Sequence, residues 1–268
     1  MRSAGFWLGL FLVSLSLLSA LGASLLAPAQ PWVQDWAAAL RPPGRGHWLG
    51  TDALGRDLLS LLLHGGRLTL LLACLPALAG ALLGIPLGLL SGLQPRLDPW
   101  LMRLCDVLLT LPAVLLALVV VGILGPGLPQ VGCAVAVVTV PVFMRQARSA
   151  ALELSARDFI QALRILGIGP ARVVFRHLLP NAAPALAALF TAQMGTAVLE
   201  AAGLSFLGFG GEPGVAEWGS LLGEARAHVY DAPWLLIGPG ACLAATVLGF
   251  ILLGDALRER WDPRTTKA

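Results

Sequence analysis

The side chains best suited to do chemistry in this chain are a few polar groups set in apolar surroundings. Gln193, Thr196 and Glu200 are three and four residues apart, so on a helix they would form one polar stripe. An ionisable group at membrane depth is costly unless it faces a cavity or a partner, so this stripe is a candidate lining for a membrane pathway. The alternative is that these side chains hydrogen-bond to neighbouring helices. Asp106, near the start of its apolar run, is expected to pair with Arg103 or to extend its side chain to the membrane surface.

No catalytic centre is recognisable among the remaining candidates. The histidines and cysteines do not gather at metal-ligand spacings: His47, His64, His177 and His228; Cys74, Cys105, Cys133 and Cys242. The phosphate-binding pattern G-x-x-x-x-G-K is also missing, so we expect no bound metal or cofactor, and ATP-derived energy would have to come from a partner. Two alternatives stay open at this point: a membrane-embedded enzyme, and a channel or scaffold subunit without an ATPase.

The composition indicates which elements position these residues. Of 268 residues, 57% are hydrophobic and 12% are charged, whereas about a quarter of the residues in soluble domains are charged. This favours an all-α, polytopic membrane protein, with residues 1–268 forming one transmembrane domain. Six apolar runs have about the length needed to cross a bilayer. We expect the first run to be a membrane-spanning helix rather than a cleaved signal peptide. The six runs cover residues 6–27, 68–93, 100–123, 128–144, 182–202 and 233–253.

The second run contains glycines four residues apart, Gly80, Gly84 and Gly88. Small residues at this spacing allow two helices in a membrane to approach closely. The Pro/Gly-rich segment 28–67 precedes this run and ends in an amphipathic stretch that begins at Leu58. We expect that stretch to form a short helix along the membrane surface.

The distribution of basic residues predicts how the six spans are oriented in the membrane. Thirteen Lys and Arg fall on the side that holds both termini and residues 94–106 and 145–181, whereas five fall on the other side. The positive-inside rule therefore places both termini in the cytoplasm and segment 28–67 outside. Because the net charge of +3 reflects this sidedness, it does not indicate nucleic-acid binding.

Residues 153–180 are unusually basic for a segment between two spans, and we call them the elbow. Ser155 could cap a first helix whose apolar face would contain Phe159, Ala162, Leu163 and Leu166. Gly167 would end that helix, and Pro170 would begin a second one whose face carries Val173, Val174 and Leu178. Such a helix pair could bind a soluble partner, or it could lie on anionic lipid headgroups.

The spacing in the elbow resembles the EAA loop of bacterial ABC importer permeases. That pattern reads E-A-A, three residues, Gly, nine residues, I-x-L-P. Here the matching positions are Gln161, Ala162, Leu163, Gly167, His177, Leu179 and Pro180. Gln161, Leu163 and His177 depart from the pattern.

Two outer segments resemble the peptide/nickel branch of this family, in particular its second permease subunit. Residues 47–57 match the pattern H-x-x-G-T-D-x-x-G-R-D, and residues 204–219 resemble S-F-L-G followed by E-W-G. In the first segment, Arg56 and Asp57 are candidates for contact with a binding protein. The alternative is a local ion-pair network that folds the loop.

The resemblance implies the type I ABC importer permease fold and a set of partners. These are a homologous second permease subunit, two cytoplasmic ATPase subunits, an extracytoplasmic solute-binding protein and the lipid of the bacterial inner membrane. The cargo would be peptides, nickel or related small solutes. The residues expected to couple to the ATPases, with no role in catalysis, are Gln161, Ala162, Leu163, Gly167, Leu179 and Pro180.

Overall fold

The computed structural model of the chain describes residues 2–210 and 214–261. Within these residues every regular element is helical, apart from two isolated antiparallel bridges. The α-helices are α1 Arg2–Leu21, α2 Ala23–Leu26, α3 Leu58–Leu93, α4 Asp98–Thr110, α5 Ala113–Leu124, α6 Leu128–Ser155, α7 Asp158–Ile165, α8 Pro170–Val173, α9 Leu179–Phe206, α10 Trp218–Ala225 and α11 Trp234–Trp261. A π-helical turn, Val174–Leu178, joins α8 to α9.

Five helical segments are long and apolar enough to cross a membrane: α1, α3, α6, α11 and the continuous segment Pro170–Phe206. The pair α4 and α5 makes a sixth span if the two helices are counted together, although they meet at 93°. The all-α polytopic class expected from the sequence is therefore confirmed.

The third span was expected to be continuous over residues 100–123, and the structure corrects this. Leu111 is extended, with ψ 139°, and Pro112 precedes the first residue of α5. A residue before proline avoids the helical region, and proline has no N–H to donate to the preceding turn, so the chain turns at this point. As a result, α4 and α5 run in different directions.

The structure also corrects the expected surface helix at residues 58–64. These residues form the first two turns of α3, a 36-residue helix about 54 Å long. Leu58, Leu61 and Leu62 are buried in the core, and the Asp57 side chain caps the helix by accepting a hydrogen bond from the Ser60 N–H at 2.9 Å. The amphipathic pattern therefore faces protein rather than lipid.

The close helix approach expected from the glycines of α3 is confirmed. A Cβ atom at Gly84 would lie 2.5 Å from the Val140 carbonyl oxygen of α6, and one at Gly80 or Gly88 would overlap α6 as well. Gly92, one turn further on, continues the series. Because bare backbone faces α6 at each turn, α3 and α6 form the most closely packed helix pair of the bundle.

The long α3 separates two functional ends. The loop before it and residues 214–234 pack together at its beginning, while its last turns contact the elbow. The chain order and the lengths of α3, α6 and α9 therefore place the elbow at the end of the bundle opposite the outer loop.

Candidate functional site

The base of the elbow is anchored on the ends of α3 and α6. Four elbow side chains are at most 2% exposed: Ile160, Val173, Val174 and Leu178. They belong to one apolar cluster with four residues from the two long helices: Leu89, Ala147, Ala151 and Leu154. Burial of this many aliphatic side chains holds the elbow as a unit on the bundle.

Gly167 ends the first elbow helix, as the sequence predicted. Its φ is +71°, a value that glycine adopts without the penalty that other residues incur. The Leu166 N–H donates to the Ala162 carbonyl, and the Ile168 N–H donates to the Leu163 carbonyl at 3.1 Å. The second of these bonds is typical of a Schellman ending. Pro170 then starts α8, also as predicted.

The predicted cap by Ser155 is not formed. Ser155 is the last residue of α6, and its buried hydroxyl has no hydrogen-bond partner in the described part of the chain. Since α6 continues to this position, the break between the two helices falls at residues 156 and 157, and α7 starts with Asp158.

The apolar face of α7 also differs from the expected one. Ile160 is the buried residue, whereas Phe159 is 40% exposed and Leu166 is 74% exposed. Since α7 starts after a break, its orientation is set by the packing of Ile160, Leu163 and Ile168 on the base. In a helix as short as α7, the spacing of apolar residues is compatible with more than one buried face. The contacts with the base decide which face is buried.

The elbow therefore presents apolar side chains away from the bundle. Four large ones are at least 40% exposed, namely Phe159, Ile165, Leu166 and Phe175, and we call this set the elbow ridge. Of the predicted coupling residues, Gln161, Ala162, Gly167 and Pro180 are exposed, while Leu163 and Leu179 are partly buried. Arg157, Arg172 and Arg176 of the elbow are exposed as well, so the elbow surface also carries positive charge.

Ion pairs connect α4 to α6 just before the elbow. Arg148 donates two hydrogen bonds to the Asp98 carboxylate, at 2.5 and 2.6 Å, and the Ser91 hydroxyl donates a third at 2.5 Å. The hydrogen bonds from Arg148 are the main cause of the lowered pKa of Asp98. Asp106 pairs with Arg145 at 2.5 Å rather than with Arg103 as expected, since the tertiary fold brings α6 alongside α4.

The predicted polar stripe lies along α9. Thr196 is exposed, and Gln193 and Glu200 are partly buried. Within the described residues, none of the three hydrogen-bonds to another helix, so the proposed helix–helix hydrogen bonds are not formed there. Glu200 has no hydrogen-bonding or ionic partner there, and its Oε2 is buried. The described residues therefore leave all three polar side chains without a partner on another helix.

The outer loop folds around Arg56, which is only 3% exposed. Its Nε donates to the Asp52 carboxylate at 2.5 Å, one terminal nitrogen donates to the Gly214 carbonyl at 2.8 Å, and the other lies 3.5 Å from Glu224. Asp57 is equally buried and binds the His47 ring at 3.0 Å. The suggested direct contact of Arg56 and Asp57 with a binding protein is thereby corrected to the alternative, a network that folds the loop.

A second buried network was not predicted from the sequence. Glu217 is fully buried and accepts hydrogen bonds from the Thr69 hydroxyl at 3.1 Å and from the N–H groups of Gly219 and Ser220 at 2.9 and 2.8 Å. Trp218 donates from its indole to the Leu62 carbonyl at 2.8 Å. The E-W-G motif was the feature of the sequence that could have predicted this network. Its hydrogen bonds to Thr69 and Leu62 hold α10 against α3.

These features can be compared with known proteins. The family model described as "Binding-protein-dependent transport system inner membrane component" matches residues 84–267. The chain belongs to this family. Members of it are permease subunits of ABC importers, so this permease is a translocation component rather than an enzyme. Its family implies an ATPase and a substrate-binding protein as partners and places it in the bacterial inner membrane.

Three relatives cover most of the permease. The dipeptide transport system permease protein DppC of Alkalihalophilus pseudofirmus is 37% identical over 96% of this chain and 84% of its own length. The di/tripeptide transport system permease protein DppC of Pseudomonas aeruginosa is 41% identical over 97% and 88%. The glutathione transport system permease protein GsiD of Pectobacterium atrosepticum is 39% identical over 83% and 74%.

A solved structure of the MetNI methionine ABC transporter in inward-facing conformations has a similar fold. The TM-score is 0.62 at 23% identity, over 75% of this permease and 95% of that chain. This similarity concerns the fold, and it agrees with the type I importer fold expected from the sequence.

Proposed function

We propose that this permease forms, with a homologous second permease, the membrane pathway of an importer for short peptides. Two cytoplasmic ATPases would drive it, and an extracytoplasmic binding protein would deliver the cargo. The support for peptides is that similar relatives carry the names of dipeptide, di/tripeptide and glutathione permeases. These three names do not concern nickel, the other cargo suggested by the sequence.

The observation that carries the coupling role is the combination of an anchored base and an exposed ridge in the elbow. Ile160 and Leu178 are fully buried against α3 and α6, while Ile165 is 87% exposed. A surface of this kind can insert into a groove of a partner and pass its displacement to the bundle as a rigid body. The exposed apolar ridge and the exposed arginines of the elbow therefore support an ATPase subunit as the partner.

Movement of the elbow would reach two parts of the bundle. It continues without interruption into α9, because the π turn at Val174–Leu178 leads directly into that helix. It also rests on α6, which the Asp98–Arg148 pair connects to α4. We infer that the α9 stripe, with Gln193, Thr196 and Glu200, lines the pathway whose opening changes when the ATPases close.

At the other end, the loop organised by Arg56 and Asp57 would receive the binding protein. These two residues act by folding the loop, and the contact would be made by exposed side chains such as Trp36 and Trp48, which are 68% and 73% exposed. The excess of basic residues on the elbow side supports cytoplasmic termini.

Photocross-linking tests the coupling role. A photoreactive amino acid at Ile165 should form a covalent adduct with the ATPase in native membranes. Leu97 lies at the same end of the bundle outside the elbow and is 44% exposed, so the same probe placed there serves as the matched control. Adducts with lipid alone at position 165, or labelling of that position from outside intact cells, would contradict the proposal. Uptake of labelled dialanine by the reconstituted importer tests the cargo.

A further inference from the structure

Glu200 is the one described acidic residue with a buried carboxylate oxygen that has no hydrogen-bond partner. Glu200 lies in the long apolar helix α9, near the outer end of that helix. It is 21 residues beyond the start of α9, about 31 Å from the elbow end. Its Oε2 is buried, and the carboxylate makes no hydrogen bond or ion pair with any described residue. A partly buried carboxylate in an apolar helix is costly unless something outside the chain binds it.

The rest of α9 shows where that partner must come from. Ala197, Val198 and Ala201 are fully buried, and a Cβ atom at Gly195 would contact α11. On the remaining face, Leu199 is 60% exposed, and the position of Gly203 is open, with no atom within 4 Å of an added Cβ. The carboxylate thus borders the only strip of this part of α9 that the described residues leave uncovered.

Three of the arginines at this end of the bundle are engaged elsewhere. Arg56 is bound by Asp52 and Glu224, Arg67 donates to the carbonyls of Ala20 and Leu21 at the end of α1, and Arg226 lies over the ring of Phe206. Two acids at this end of the bundle, Glu217 and Glu224, are also satisfied, since both accept hydrogen bonds. None of the described residues forms an ion pair with Glu200.

We propose that Glu200 is a specificity-determining group of the pathway, and that it binds the amino-terminal ammonium of a peptide as the peptide leaves the binding protein. This inference rests on the proposed peptide cargo. A short peptide carries one ammonium at neutral pH and must give up its hydration on entering an apolar passage. A carboxylate without an internal partner can replace that hydration with a charge-assisted hydrogen bond. The neighbouring Thr196 hydroxyl, one turn away, can accept a second one.

The test uses proteoliposomes that contain the complete importer, with labelled dialanine and an excess of its binding protein. The measured quantity is dialanine taken up per ATP hydrolysed, and the loaded fraction of binding protein is determined at each pH. Peptide ammonium groups titrate near pH 8. Wild-type uptake per ATP should therefore fall about tenfold between pH 7 and pH 9.

Glu200→Gln should lower uptake per ATP at pH 7 at least fivefold and remove the pH dependence, while ATP hydrolysis stimulated by the binding protein continues. Glu200→Asp keeps the carboxylate and should regain part of the uptake together with its pH dependence. Thr191→Val is the control, because the Thr191 hydroxyl bonds only to the Ala187 carbonyl of its own helix, and it should behave as wild type.

Two results would overturn the inference: wild-type uptake per ATP in Glu200→Gln, or a pH dependence in that variant as steep as in the wild type. If Glu200→Gln does not assemble, Glu200→Asp decides, since a loss of pH dependence there has the same meaning. Stimulated ATP hydrolysis without dialanine uptake in the wild type would instead refute the peptide cargo itself, and the inference with it.

Discussion

Gly167 offers the sharpest test of the coupling elbow. Its φ of +71° costs a residue with a Cβ about 1–2 kcal/mol, whereas space is not limiting, because nothing lies within 4 Å of an added Cβ. Gly167→Val should therefore depopulate the native turn about 5- to 30-fold without disturbing the core. Asn adopts this backbone region more readily, so Gly167→Asn should have a smaller effect.

The assay measures dialanine uptake and binding of the ATPase in the same proteoliposomes. If only the native turn transmits movement, Gly167→Val should reduce dialanine uptake by a factor in this range while the protein remains in the membrane and still binds the ATPase. The control is Gly169→Val. That glycine lies in the same turn with equal space around it, but its φ of −61° and ψ of 149° suit a β-branched residue before proline.

The reasoning would be refuted by normal uptake in Gly167→Val, or by an equal loss in Gly169→Val. The first result would mean that the geometry of the turn does not matter for coupling. The second would mean that side-chain bulk, rather than backbone strain, disturbs contact with the partner.

Three further predictions concern the parts that hold the elbow and the outer loop. Gly84→Ala should destabilise the packing of α3 on α6 by about 1–3 kcal/mol, seen as a lower melting temperature in detergent, whereas Gly122→Ala, with open space around it, should not. Arg56→Met should cost about 3–5 kcal/mol, because it leaves buried carboxylates without their cation; a melting temperature close to that of the wild type would contradict the buried network. Arg148 lowers the pKa of Asp98, so the stability from this pair is present above the unfolded pKa of about 3.9 and is lost as the pH falls through the folded value. In Asp98→Asn, acid melting curves should lack that loss, and an unchanged acid dependence would exclude the pair as its source.

The sequence alone determined the features that depend on local chemistry. Apolar runs long enough to span a bilayer identified the membrane class, because backbone groups in lipid must be satisfied within a helix. Glycines at intervals of four predicted where α3 would be approached closely. Gly167 and Pro170 predicted the turn of the elbow, because each has a backbone preference that does not depend on distant residues.

Only the tertiary structure decided which faces and charges meet. The amphipathic stretch from Leu58 has the pattern of a surface helix, but α10 covers it in the structure. Ile160, rather than Phe159, anchors the elbow. Asp106 pairs with Arg145, which is 39 residues away, and not with Arg103, which is close to it in the sequence. Periodicity and charge state what a segment can bury or pair with, but the choice between protein, lipid and a partner depends on contacts between residues far apart in the chain.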